Sequence, residues 1–107
     1  MDLQVPEIDV DALAQQREVP LVDVREVNEY EEFHVPGARL LPLGELADRV
    51  GEVPTDGPVF IICRSGARSM RAAEFLRAQG VDAINIAGGS LAWVDAGHDV
   101  ATGPEPG

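Results

Sequence analysis

Residues 59–62, Val-Phe-Ile-Ile, are apolar at every position. A half-exposed strand alternates apolar and polar residues, so an unbroken run marks a strand covered on both faces. Such a strand lies inside a sheet with helices above and below it. The rest of the chain supplies the parts. Residues 3–8 read as a short strand, placed at an edge by Pro6. Residues 21–24, 38–41 and 83–86 read as three more. Between them run stretches of helical spacing. Asp9 is placed to cap a helix carrying Val10, Leu13 and Ala14. Residues 26–33 form a short acidic helix with Tyr30 and Phe33 inward, and Pro36-Gly37 turns the chain. Residues 44–50 are spaced as a helix with Leu46 and Val50 on one face. Residues 69–79 make a longer one that buries Ala72, Ala73, Phe75 and Leu76 and stops at Gly80. Gly88-Gly89 leads into a last helix carrying Leu91, Trp93 and Val94. The pattern predicts an α/β fold: a three-layer domain with a central, mostly parallel five-stranded sheet and helices on both faces. One domain is expected over residues 1–100, with residues 101–107, rich in Pro and Gly, as a disordered tail.

The charge is unevenly spread. The net charge is −11, and all eight basic residues are arginine. Arg64, Arg68 and Arg71 fall within residues 63–71, a stretch that holds no acid. An acidic surface argues against nucleic acid or an anionic membrane as a partner. The basic island argues for a small anion bound at one place. Its first residue, Cys63, is the only cysteine. A single cysteine makes no internal disulfide and no multi-cysteine zinc site. The N-terminal residues are acidic where a signal peptide is basic, and no apolar run approaches the ~20 residues of a membrane helix. These features point to a soluble, cytoplasmic chain.

The island, Cys63-Arg64-Ser65-Gly66-Ala67-Arg68-Ser69, joins the apolar strand to the helix after it. Ligands of such sheets collect beyond the carboxyl ends of the strands. Gly66 relaxes the steric limits on a tight curve. A loop of that kind turns backbone N–H groups toward its own centre as an anion nest. The first turn of the helix adds unpaired N–H donors and the positive end of its dipole. Each of these favours thiolate over thiol, and cysteines so placed reach pKa values of about 3.5–7.5 against about 8.5 when free. A cysteine after an apolar strand also has a plain use as a small buried hydrophobe. The glycine and two arginines in register with the helix start favour the chemical use. A cation at a helix start is disfavoured by the dipole, so Arg68 points to a bound anion. Arg71, three residues before Glu74, reads as half of a helix-surface pair. Tyrosine phosphatases build a similar cradle from Cys, five residues and Arg. That spacing would put the arginine at 69, where this chain has Ser. The arginine comes one residue early, and the shorter loop suits a terminal sulfur atom better than a phosphoryl group.

At this point the sequence resembles the single-domain rhodaneses, a sulfurtransferase family, over nearly its whole length. Asp23-Val24-Arg25, Glu29-Tyr30 and His34-Val35-Pro36-Gly37-Ala38 resemble its first signature. Residues 63–69 resemble its active loop. Gly88, Gly89, Trp93 and Gly97 resemble its closing signature. Phe33 departs from the pattern, since members usually carry Gly there. The resemblance implies a thiosulfate sulfurtransferase. Cys63 would take the outer sulfur of a small anionic donor, thiosulfate foremost, and sulfite would leave. The persulfide would be held by Arg64, Ser65, Gly66, Ala67, Arg68 and Ser69, then passed to cyanide, a thiol or an acceptor protein. No metal and no organic cofactor are implied. The mechanism calls for no acid or base, so His34 is expected to be structural and His98 exposed. Asp23 and Arg25 are expected to brace the loop, Arg25 paired with an acid such as Glu29. Two rival readings are a non-catalytic rhodanese module for protein docking and a small cysteine-based phosphatase or arsenate reductase. The first sits poorly with the retained cysteine and arginines, the second with the loop length and the lack of a resolving thiol.

Overall fold

The computed structural model describes residues 4–107. Five strands, β1 (Glu7–Ile8), β2 (Leu21–Asp23), β3 (Arg39–Leu40), β4 (Pro58–Ile62) and β5 (Asp82–Ile86), form one sheet. Their order is β1-β5-β4-β2-β3, and every pairing is parallel. The sheet explains the apolar run. Val59, Ile61 and Cys63 pack with Ala72, Ala73 and Leu76 on one side, while Phe60 and Ile62 pack with Leu13, Tyr30 and Trp93 on the other. Both faces of β4 are core, which leaves no place for a polar residue.

Four helices supply the two layers: α1 (Val10–Ala14), α2 (Val27–Glu32), α3 (Ala67–Ala78) and α4 (Gly89–Asp95). The buried apolar residues of α3 belong to the first core, and those of α1 and α2 with Trp93 of α4 belong to the second. Asp9 caps α1, its Oδ1 accepting the Ala12 N–H at 2.8 Å. α3 starts at Ala67 rather than Ser69 because Gly66, in the left-handed region at φ +106°, serves as its N-cap. Leu91 and Val94 lie on the exposed side of α4, and only Trp93 of the three is buried. No described helix is long and apolar enough to cross a membrane.

The helix expected over residues 44–50 is instead two 3₁₀ turns, Leu43–Glu45 and Val50–Glu52. Glycine is a poor helix former, and Gly44 and Gly51 fall one in each turn. Leu46 still enters the core, and Arg49 ties the turns together through Glu45 and Glu52. Leu3 of the expected first strand lies outside the described residues.

Residues 101–107, expected to be disordered, are hydrogen-bonded to the domain. Ala101 and His34 exchange two backbone bonds of 2.9 Å, Gly103 N–H donates to Glu31, and Gly37 N–H donates to Pro106. The His34 ring is fully buried and stacks on Tyr30 at 3.7 Å. Its Nδ1 lies 2.7 Å from the Tyr30 carbonyl and its Nε2 3.0 Å from that of Glu105. Backbone groups hold this segment, and backbone pairing leaves little trace in composition.

A buried ion pair closes the end of β2. Arg25 is 0% exposed and Asp23 1%. Arg25 donates Nε and Nη2 to the Asp23 carboxylate at 2.9–3.1 Å, and Nη2 also to the Phe33 carbonyl at 2.7 Å. The expected pairing of Arg25 with Glu29 is therefore corrected to Asp23, whose buried charge needs a partner of its own. Arg25→Ala leaves that charge in the interior with the backbone N–H of residue 25 but no cation, and is expected to cost about 3–5 kcal/mol. Urea denaturation followed by circular dichroism checks this. A loss as small as that of a surface substitution would show that Asp23 is satisfied by other means.

Candidate functional site

Beyond the carboxyl end of β4 the chain curls through residues 63–66 into α3. Gly66 makes the curve, since its φ of +106° is one that L side chains rarely adopt. The outer side of the curl is fixed by α4. Ser90 N–H donates to the Cys63 carbonyl at 2.8 Å, and Leu91 N–H donates to that of Arg64 at 3.1 Å. These are N–H groups of the first turn of α4, which have no partner inside their own helix. Gly89 lets the two segments meet: a Cβ there would collide with the backbone of Cys63 and Arg64. With its carbonyls drawn outward, the loop turns its N–H groups inward.

They converge on one sulfur. Cys63 is 1% exposed. Its Sγ accepts from Gly66 N–H at 3.1 Å, Ser69 N–H at 3.3 Å and Ser69 Oγ–H at 3.3 Å. The Ser69 hydroxyl also lies 3.2 Å from the Gly66 carbonyl. It has one proton, and a charged thiolate is the stronger acceptor of the two. Burial, the largest single influence, pushes the thiol pKa up. The donors of Ser69, Gly66 and Ser65 together outweigh it, and the pKa lies below its ordinary value.

The arginines are disposed differently from one another. Arg64 is exposed and makes no ion pair among the described residues. Arg68 is engaged by Glu29, with Nη1–Oε1 at 2.7 Å and Nη2–Oε2 at 2.9 Å. Glu29 Oε1 also accepts the Glu26 N–H at 3.0 Å, within the capping box of α2. Chiefly through the hydrogen bond from Arg68, the Glu29 pKa falls from 4.5 to about 2. Arg71 does not pair with Glu74. It lines a groove of about 250 Å³ with Leu43, Leu46, Ala47 and Phe75. Ser65 and Ala67 are exposed. His98, expected to be exposed, is half-buried against the Trp93 ring, with its Nε2 3.0 Å from Asp11. Asn85 is a member that the sequence reading missed. Its Nδ2 lies 2.8 Å from Glu7 Oε2 and 3.4 Å from the Gly66 carbonyl. Its one signal is an amide inside an apolar strand.

The family model for the rhodanese-like domain matches residues 8–96. The chain belongs to the rhodanese-like domain family. A sulfurtransferase of Allochromatium vinosum is 40% identical over 98 residues, covering 87% of this chain and 92% of that protein. The uncharacterized protein YqhL of Bacillus subtilis is 46% identical over 78 residues, 72% of this chain, and the chain spans 62% of its length. Thiosulfate sulfurtransferase GlpE of Shewanella oneidensis is 34% identical over 85 residues, 78% of this chain and 84% of that protein. The rhodanese-related protein of Thermoplasma volcanium superposes with a TM-score of 0.87 at 27% identity, covering 94% of this chain and 99% of that one. The rhodanese fold is thus five parallel strands between helical layers, as the sequence predicts.

Two outcomes follow from this geometry. Ser69→Ala removes a hydroxyl donor from Sγ, so the Cys63 thiol pKa should rise. The pH dependence of its alkylation by iodoacetamide should move to higher pH, and an unmoved profile would mean that the backbone donors suffice. The Glu29–Arg68 pair should show in the pH dependence of stability. The carboxylate is depressed in the folded state, so its contribution is complete above pH 4.5 and lost as pH falls toward about 2. Melting temperatures across that window should drop more steeply for the wild type than for Glu29→Gln.

Proposed function

We propose that this chain is a sulfurtransferase that carries a sulfane sulfur on Cys63, taking it from an anionic donor of the thiosulfate type. The observation that carries the reading is the set of N–H and O–H donors gathered on one buried sulfur. In the first step the Cys63 thiolate attacks the outer sulfur of thiosulfate. The S–S bond of the donor breaks, its electron pair leaves with sulfite, and a persulfide anion remains on Cys63. In the second step a thiolate or cyanide attacks the outer persulfide sulfur, and Cys63 returns as thiolate. Charge balances in both steps without a proton transfer, so neither step calls for an acid, a base, a metal or an organic cofactor.

The roles follow from position. Cys63 is the nucleophile and carrier. The amides of Ser65, Gly66 and Ser69 and the Ser69 hydroxyl stabilise negative charge on the thiolate, and in this reading the loop over residues 64–69 holds the persulfide one bond further out. Arg64 is the exposed cation at the mouth. A free thiol that cycles through a persulfide suits a reducing compartment such as the cytoplasm. The names of the relatives from Allochromatium and Shewanella support the same chemistry.

Intact-mass spectrometry tests it. Thiosulfate alone should add the mass of one sulfur atom, and cyanide or dithiothreitol should remove it. Cys63→Ser should take up none. A wild-type protein that gains no mass from any sulfane donor, yet hydrolyses a phosphate ester, would replace this reading with the phosphatase one.

A further inference from the structure

The loop holds two arginines, but only one keeps its charge uncompensated. The Nη1/Nη2 edge of Arg68 is filled by a carboxylate in two-point contact, which offsets the charge of the arginine although its Nε edge is left over. Glu29 is held in place from both sides, by Arg68 and by the Glu26 N–H of its own helix. The side chains of the pair are 33% and 21% exposed, so water screens them only in part. Among the described residues this leaves Arg64 as the loop cation without an ion-pair partner. A dianionic donor brought to Sγ therefore meets one arginine free and the other already neutralised.

We propose that Glu29 sets the charge preference for the sulfur donor. By neutralising Arg68 it turns the site toward donors with one negative charge or none, such as organic persulfides and thiosulfonates. It turns the site away from the thiosulfate dianion. Thiosulfate remains a donor, at a KM raised by Glu29. This deepens the sulfurtransferase reading and rests on it for its donors. The preferred step is balanced: the Cys63 thiolate attacks the outer sulfur of an organic persulfide anion, the S–S bond breaks, and the organic thiolate leaves as the Cys63 persulfide forms.

Thiosulfate and methanethiosulfonate make a matched test, since both carry a terminal sulfur and they differ by one charge. Glu29→Gln removes the carboxylate charge yet keeps an oxygen for the Glu26 N–H, as capping boxes allow. The KM for thiosulfate should fall about five-fold and that for methanethiosulfonate about two-fold. Coulomb energy is linear in charge, so the factor for the dianion is about the square of that for the monoanion. Equal factors, or no change, would overturn the proposal. A second measurement needs no sulfur transfer. Cys63 is alkylated by iodoacetate, an anion, and by iodoacetamide, which is neutral. Glu29→Gln should raise the ratio of the two rates about two-fold, and an unchanged ratio overturns the proposal. Glu29→Asp keeps the charge and should keep the wild-type ratio. A ratio raised as far as in Glu29→Gln would show that shape rather than charge is at work, and would also overturn it. If the ratio moves as expected while no donor yields a persulfide, the sulfurtransferase reading fails and the charge role of Glu29 stands.

Discussion

The first N–H groups of α4 bond to the carbonyls of Cys63 and Arg64, and the rest of the site depends on that contact. A loop peptide points its carbonyl and its N–H in opposite directions. Fastening the Cys63 and Arg64 carbonyls outward turns the amides of Arg64 and Ser65 away from α4, ahead of the Gly66 and Ser69 amides that bond the sulfur. The contact exists because β5 lies beside β4 in parallel, with Val59 opposite Ala83 and Ile61 opposite Asn85. Both strands then end on the same side of the sheet, and the turn after one meets the loop after the other. Gly89 is the residue that lets them meet. The nest for the sulfur is thus made in part by a helix that contributes no donor to it.

The scaffold must be rigid for this to work. Hydrogen bonds of 3.1–3.3 Å to sulfur leave little room for drift. Rigidity comes from β4, whose two faces lock into separate cores. It also comes from the ion pair of Asp23 and Arg25, which fixes the strand end next door and reaches to the Phe33 carbonyl. A buried ion pair is weak support for stability, because desolvation offsets much of the attraction. It is strong support for geometry, since the further bonds of the pair, Arg25 to the Phe33 carbonyl and the Arg25 N–H to Asp23, fix both groups in place. Cys63 faces the same trade. Burial opposes its charged form, and only a full set of donors reverses the balance.

Much of this was legible in the sequence, because it depends on local pattern. The apolar run at 59–62 gave away the central strand, and Gly66 with the helix after it gave away the nest. What pattern does not encode is the choice of partner. Arg68 and Glu29 are 39 residues apart, and nothing in the spacing of either predicts that they meet. The turns at 43–52 kept the apolar spacing of a helix while glycine denied them its backbone. The tail is held by its carbonyls and amides, which every residue has, so its docking on His34 and Gly37 was invisible to composition.

A cation at the start of a helix, here Arg68, works against the dipole, and a nearby anion is the natural remedy. That logic holds, but the anion is Glu29, a resident of the chain. The consequence reaches the chemistry. If the arginine charge is spent within the protein, the loop amides and the Ser69 hydroxyl must do most of the work of favouring thiolate. The leading influences that lower the Cys63 pKa are these hydrogen bonds. A nest of amides recognises a negative sulfur at short range and is indifferent to what the sulfur was attached to. An arginine pair would have recognised the sulfonate. On the proposed sulfur transfer, locking one arginine to a carboxylate would move recognition away from the leaving group of the donor and onto the atom being transferred.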